Sequence, residues 1–402
     1  MNVSAIIAEY NPFHKGHLYH IKKTKELTKC DGIICIMSGN FVQRGLPSIV
    51  DKWSRTTMAL KNGIDLVIEL PVVYSLASAE FFSYGSISLI NSLNIVNTLS
   101  FGSELGDITI LERIAEVLLK EPVQYKKLLS FYLEQGLSFP KARSNALESF
   151  IKSNNIPIEN LSVILNSSNN ILGIEYLKSL LKLESNIKPL TIERLGESYN
   201  SKNIAEISSA TAIRKFIFSN NSIKDLKDLL PLETFHILTN YGEENFPLEG
   251  DILPYLKHKI YTNRNCLLKI PDVKEGIENK IIYEILRSDD FSYILNNIKS
   301  KRYTLTRIHR ILMQLFLGFE NYPIEDMRKS KAPYARILGF NSKGQEMLKE
   351  IKKKSMIPII TKIPKEKNDF LKLDLDSTAF YGLLNKSINY NEDFYRKPII
   401  IK

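Results

Sequence analysis

The first twenty residues constrain the fold most. Val3-Ser4-Ala5-Ile6-Ile7-Ala8 is a short, mostly apolar run with β-branched residues and reads as a buried strand. Glu9-Tyr10-Asn11-Pro12-Phe13 breaks it, because Asn-Pro favours a turn. His14-Lys15-Gly16-His17 comes next, and Leu18, Ile21 and Leu27 then recur at roughly helical spacing. An HxGH element thus sits where a first strand passes into a first helix. A helix N-terminus has unpaired N–H groups and a positive dipole end, so it receives phosphate readily. Gly16 lets backbone approach a ligand closely. His14 and His17, three apart, share one face of the opening turn, where two imidazoles can stabilise charge growing on phosphate oxygens. The zinc-binding pair has its histidines at i and i+4, so no metal ligand is assigned here. The plainer reading is an ordinary polar turn. Three of the six histidines fall in this stretch, His20 included, which favours a nucleotide site.

The order of the next elements supports a parallel sheet. Gly32 to Met37 reads as a second buried strand ended by Ser38-Gly39-Asn40, and two apolar strands separated by a helix make a right-handed βαβ unit. Ligands of such sheets bind beyond the carboxyl ends of the strands. The loop Phe41 to Pro47 carries Arg44, whose planar fork suits phosphate or carboxylate as well as it suits solvent. Asp51 caps a helix that runs to about Asn62, with Lys52 and Arg55 near its start and Met58 and Leu60 facing the core. Leu66 to Leu70 is a third strand, Ser78 to Ser92 a helix, and Ile95 to Phe101 a fourth strand followed by Gly102-Ser103-Glu104. From Asp107 to about Lys182 the apolar residues recur every three or four positions, too long for a simple crossover, which indicates a helical insertion. Ser167-Ser168-Asn169-Asn170 reads as a helix cap first and a ligand contact second. Lys188 to Arg194 is a fifth strand, and Ser208-Ser209 opens another helix whose hydroxyls can cap it or hold phosphate.

The part from about Asn245 is mostly helical in pattern and rich in lysine and arginine. Its basic clusters lie at Lys299–Arg310, Lys329–Arg336 and Lys352–Lys354. Basic side chains interleaved with tyrosine suit single-stranded RNA, although each cluster taken alone is more often a solvated face. The formal net charge of +10 over 402 residues is compatible with a nucleic-acid partner without requiring one. Three cysteines with no CxxC pair argue against a disulfide framework and for a reducing, cytoplasmic compartment. No signal peptide and no run of apolar residues long enough to span a membrane is read.

Several stretches together resemble one family, the bacterial tRNA(Met) cytidine acetate ligases. They are AEYNPFHKGH at 8–17, GNFVQRGLPSIVDKW at 39–53, GIDLVIELP at 63–71, FGSE at 101–104, SSNNILGIEYLK at 167–178 and ISSATAIRK at 207–215. The likeness is strong to about Lys215 and continues more weakly through TLTRIHRILMQLFLG and KAPYARILGF. HxGH alone marks only the wider nucleotidyltransferase superfamily; the ordered set is far more specific. One departure is Leu46, where an acid is expected in the QRG(E)P loop.

The resemblance implies an α/β fold. A Rossmann-like parallel-sheet nucleotidyltransferase domain is expected over 1–244, with the insertion at about 107–182, then a mostly helical, basic, tRNA-binding domain over 245–402. It implies a ligase that activates acetate with ATP, with Mg²⁺ as helper, and passes the acetyl group to N4 of the wobble cytidine of elongator tRNA(Met). Catalysis would fall on His14 and His17. ATP contacts would fall on Ile7, Ala8, Glu9, Tyr10, Asn11, Pro12, Phe13, His14, Lys15, Gly16, His17, Leu18, Tyr19 and His20, and on Gly102, Asn169 and Arg194. Arg194, Ser208 and Ser209 are candidates for the pyrophosphate end. Two competing readings are a nucleotidyltransferase acting on a small molecule without RNA, and a non-catalytic RNA-binding protein with a vestigial nucleotide fold.

Overall fold

The structure is a computed structural model that describes residues 1–137, 139–154, 158, 161–194, 209–219, 221–274 and 276–402. Its centre is a sheet entered first by β1 (Val3–Ala8), then, after helix α1 (Lys15–Thr28), by β2 (Gly32–Ser38). A small hairpin, β3 (Phe41–Val42) and β4 (Leu46–Pro47), precedes α2 (Lys52–Lys61) and β5 (Leu66–Leu70). The short α3 (Val72–Ser75) and α4 (Ala79–Leu93) lead to β6 (Thr98–Ser103), which lies about two residues later than the sequence pattern places it. Among the described residues the insertion holds five helices: α5 (Ile108–Lys120), α6 (Val123–Glu134), α7 (Phe139–Ser153), α8 (Leu161–Asn166) and α9 (Ser168–Lys182). Then come β7 (Lys188–Glu193), α10 (Ala210–Phe218) and α11 (Leu232–Tyr241).

Strands β5, β2, β1, β6 and β7 are adjacent in that order and mutually parallel, so their carboxyl ends share one edge. Strand residues alternate between two cores, as a pleated sheet covered on both faces requires. Ala5, Ile34, Ile36, Leu66, Ile68 and Leu99 face α4, α5 and α9. Ile6, Ile33, Cys35, Met37 and Val67 face Ile21 of α1, Met58 and Leu60 of α2, Ile213 of α10 and Leu238 of α11. Each such side chain, fully buried, contributes about 1.5–3 kcal/mol. Leu27 is 56 % exposed, and Thr24 takes the inward position on α1 instead, bonded to Ser100 Oγ at 2.7 Å.

The C-terminal part begins with helices α12 (Leu253–Thr262), α13 (Ile277–Arg287), α14 (Phe291–Ile298), α15 (Leu305–Phe316) and α16 (Ile324–Lys329). It then returns to the sheet. Strand β8 (Ala335–Phe340) pairs antiparallel with β5, and β9 (Ile359–Ile360) and β10 (Ile399–Ile400) pair parallel with β8. Helices α17 (Ser342–Lys354), α18 (Asp369–Leu384) and α19 (Glu392–Tyr395) complete the chain. The sheet therefore draws strands from both sides of position 244. The structure removes part of the Lys329–Arg336 cluster from the surface: Tyr334, just before β8, and Arg336, within it, are 2 % and 5 % exposed, while Lys329 and Lys331 stay exposed. No helix among the described residues is long and apolar enough to cross a membrane.

Candidate functional site

The chain leaves β1 through Tyr10, whose φ is 48°, and a cis Asn11–Pro12 peptide, and enters α1 at His14. His14 is the N-cap: its Nδ1 accepts from Gly16 N at 3.0 Å. His17 reaches back, its Nδ1 accepting from His14 N at 3.2 Å. This reciprocal cap satisfies two otherwise unpaired helix donors with imidazoles in place of the usual Ser and Glu. It also fixes the chemistry of both rings. With each Nδ1 lone pair engaged, the proton of the neutral ring sits on Nε2, so each histidine presents one N–H donor.

The surroundings keep these rings neutral. Their centroids are 3.7 Å apart at an interplanar angle of 31°, too close for two cations. Burial, then the charges of Arg194 and Arg214, pushes His14 down to about 3. Burial, then His14, Arg194 and His20, takes His17 well below its ordinary value. Burial and Arg194 bring His20 down to about 4. Tyr10 packs edge-on to His17 and Phe13 packs tilted against it, at 4.8 and 5.4 Å between ring centres, and together they hold it in place.

Arg194 acts on all three histidines, and its backbone N–H donates to Ser103 O at 3.0 Å. Gly102 makes room for it: a Cβ there would lie 3.3 Å from Arg194 Cγ. Glu104, two residues on, caps α9, its carboxylate accepting from Asn169 Nδ2 at 2.7 Å and from Asn170 N at 2.8 Å. The structure thus brings His14, His17, Gly102 and Arg194 to one edge and ties Asn169 to it through Glu104. His20 faces inward, its Nε2 3.0 Å from Ser100 Oγ on β6. Lys15 reaches the carbonyl of Asp228. Ser209 is the N-cap of α10, accepting from Ala212 N at 3.2 Å, while Ser208 lies outside the described residues.

Two arginines carry more than their sequence context indicates. Arg214 of α10 donates to Asn11 O at 2.5 Å, which ties the helix to the turn before α1 and adds a second cation beside His14. Arg55 of α2 is 0 % exposed and donates to four carbonyls: Glu9 at 2.6 Å, Ser38 at 3.0 Å, Val50 at 3.2 Å, and Gly39. It binds the carboxyl ends of β1 and β2 together. Arg214 stands inside the ISSATAIRK stretch, which is the signal that marks it; nothing local to the sequence marks Arg55 as buried.

Two neutral N–H donors at a helix N-terminus, flanked by two guanidiniums, make a site for an anion with several oxygens. Comparison with known proteins bears on the chain as a whole. A family model described as HIGH Nucleotidyl Transferase matches residues 1–395. The tRNA(Met) cytidine acetate ligase of Clostridium novyi is 54 % identical over 404 residues, covering 100 % of both chains. That of Clostridium botulinum strain Okra is 53 % identical, covering 100 % of this chain and 99 % of the relative. Among solved structures, Thermotoga maritima TmcAL in its apo form superposes with a TM-score of 0.92 at 34 % identity over the whole of both chains. The same protein bound with alpha-thio ATP gives 0.90 at 33 %, again over both chains. A full-length match at this identity settles kinship: the chain belongs to the HIGH nucleotidyl transferases, within the tRNA(Met) cytidine acetate ligase family.

Proposed function

We propose that this protein joins acetate to the wobble cytidine of elongator tRNA(Met) in two steps at the His14–His17 edge. In the first, an acetate oxygen attacks the α-phosphorus of ATP in line with the bond to the β-phosphate, giving acetyl-adenylate and pyrophosphate. Such transfers need positioning and charge neutralisation more than a protein nucleophile. The Nε2–H groups of His14 and His17 would donate to the α- and β-phosphate oxygens, and Arg194, Arg214 and the start of α10 would hold the departing pyrophosphate. In the second step, N4 of cytidine attacks the acyl carbon, AMP leaves, and N4 loses a proton. That amine is weakly nucleophilic, which is why a mixed anhydride is required.

The observation that carries this reading is the pair of Nδ1-capped rings, which leaves each Nε2 as a donor at a helix N-terminus. Among the described residues no group of three or more His, Cys, Asp or Glu is arranged to hold a metal ion, so no protein ligand is assigned to Mg²⁺, which would accompany the triphosphate as its counter-ion. The test is incubation with ATP, labelled acetate and elongator tRNA(Met) transcript, followed by nucleoside analysis. Label in N4-acetylcytidine at the wobble position is expected. ATP and acetate consumed with no label in RNA would favour the small-molecule alternative.

A further inference from the structure

The tip of the β3–β4 hairpin lies between α10 and α15. Arg44 Nη1 is 3.5 Å from Thr211 Oγ1 on one side. On the other, a Cβ on Gly45 would lie 2.4 Å from the backbone N of Arg310, so only glycine fits that contact. Beyond it, Arg307 and Arg328 both lie within electrostatic reach of Arg310, and Asp272 acts on Arg310 and Arg328.

Arg328 is 2 % exposed. Its Nη1 is 3.8 Å from Asp272 Oδ2, its Nη2 is 3.4 Å from Leu76 O, and its guanidinium lies 5.6 Å from the Phe81 ring centre. Its buried Nε meets no acceptor among the described residues, and neither does the buried Nε of Arg310. Arg307 donates to Asp272 O at 2.8 Å and stacks 4.2 Å over Tyr303. Asp272 Oδ2 is further shared with Gln314 Nε2 at 3.2 Å. Glu325 adds a smaller pull, on Arg328. Burying guanidinium donors without partners is costly, so the arrangement asks for an anion. A phosphodiester fits, since its oxygens match the guanidinium fork.

Position favours a strand of phosphates over a single free ion. Arg194 and Arg214 both act on His14. Arg214 and Arg44 share Thr211 Oγ1, at 3.3 and 3.5 Å. Gly45 then abuts Arg310. A line of guanidiniums thus runs from the ATP edge across the hairpin to the buried cluster.

We propose that Arg307, Arg310 and Arg328 seat a backbone phosphate of the RNA acceptor, one hairpin away from the triphosphate. This rests on the reading that the acceptor is an RNA. The test measures binding of elongator tRNA(Met) transcript to wild type, Arg307→Gln, Arg310→Gln and Arg310→Lys across a salt series. In parallel, pyrophosphate–ATP exchange with acetate and no RNA is measured. Arg310→Gln is expected to weaken RNA binding about tenfold and to lower the slope of log affinity against log salt by about 0.7–1, with Arg307→Gln in the same direction and Arg310→Lys recovering most of the slope. Unchanged slope in both glutamine variants overturns the proposal. So does joint loss of exchange and RNA binding in both, which marks a structural role. Wild type that binds the transcript with the expected slope yet never acetylates it contradicts the ligase reading and leaves the phosphate seat standing.

Discussion

At the scale of the residue, the two histidines do opposite things to helix and ligand with the two nitrogens of one ring. His17→Ala removes one Nε2 donor and half of the reciprocal cap. Loss of one such preorganised donor costs on the order of a hundred- to a thousandfold in rate. Loss of the cap costs only about 1 kcal/mol. The variant should therefore stay folded by circular dichroism while adenylate formation collapses. His14 gives a pH signature. Its folded value, about 3, lies below the ordinary 6.5, so below 6.5 the unfolded chain binds a proton that the folded one refuses. Stability is full above 6.5 and falls as pH drops toward 3. The slope is about 1.4 kcal/mol per pH unit for one group. His14→Asn, which keeps an N-cap, should lessen that acid limb by about one group's slope in thermal melts across pH 7 to 4, with His17 and His20 supplying the remainder. An equally steep limb in the variant would assign it elsewhere. Both histidines are legible in the sequence, because a strand–turn–HxGH–helix order specifies an edge; Gly102 and Arg194 stand out only as ends of later strands, and their link to ATP comes from the family resemblance. Arg55 is not, because burial of one arginine depends on four carbonyls that only the folded strands bring together. Arg55→Met should cost about 3 kcal/mol or more, since those acceptors lose their donors in a dry interior; a urea titration measures it.

At the scale of the element, caps and glycines decide where the site residues sit. Asp51 ends the hairpin segment and caps α2 through Trp53 N and Ser54 N, at 2.8 and 2.9 Å, in keeping with its position before an apolar helix. The same helix carries Arg55 and Lys52 inward. Gly45 is at φ 83°, a region other residues enter at a cost of about 1–2 kcal/mol, and its missing side chain is what admits α15. Gly45→Ala should lift the hairpin from α15 and raise the KM for tRNA several-fold, with exchange in the absence of RNA much less affected. The hairpin itself shows in the sequence only as a loop, since two-residue strands leave no periodicity. The basic clusters divide in the same way. Lys352 to Lys354 form a solvated helix end, with Lys353 paired to Glu350 at 2.9 Å. Arg307 and Arg310 turn inward instead. Sequence composition cannot separate the two, because the difference lies in what packs against the helix.

At the scale of the whole molecule, the last strands lock the first half together. Lys52 bonds Glu69 at 2.8 Å and Asp393 at 2.9 Å, and Arg336 bonds Asp393 at 2.6 Å and Glu69 at 3.2 Å, all four groups buried. Two cations and two anions balance, and they join α2, β5, β8 and α19. Asp374 sits beside them, pushed up to about 7 by burial and by Glu69. Removing one member strands its partners, so Arg336→Met should cost about 3–5 kcal/mol in a urea titration. The five parallel strands and their order of appearance can be read from apolar runs. The antiparallel return of β8 cannot, because residues 335–340 pair with a strand some 270 positions earlier and long-range pairing has no local signature.

The measurement that bears most directly on the central claim is exchange of labelled pyrophosphate into ATP, with and without acetate, in wild type and in His17→Ala. Exchange that requires acetate, is present in wild type and is lost in the variant is the expected result. Exchange that ignores acetate, or survives the loss of His17, would contradict adenylation of acetate at this histidine pair.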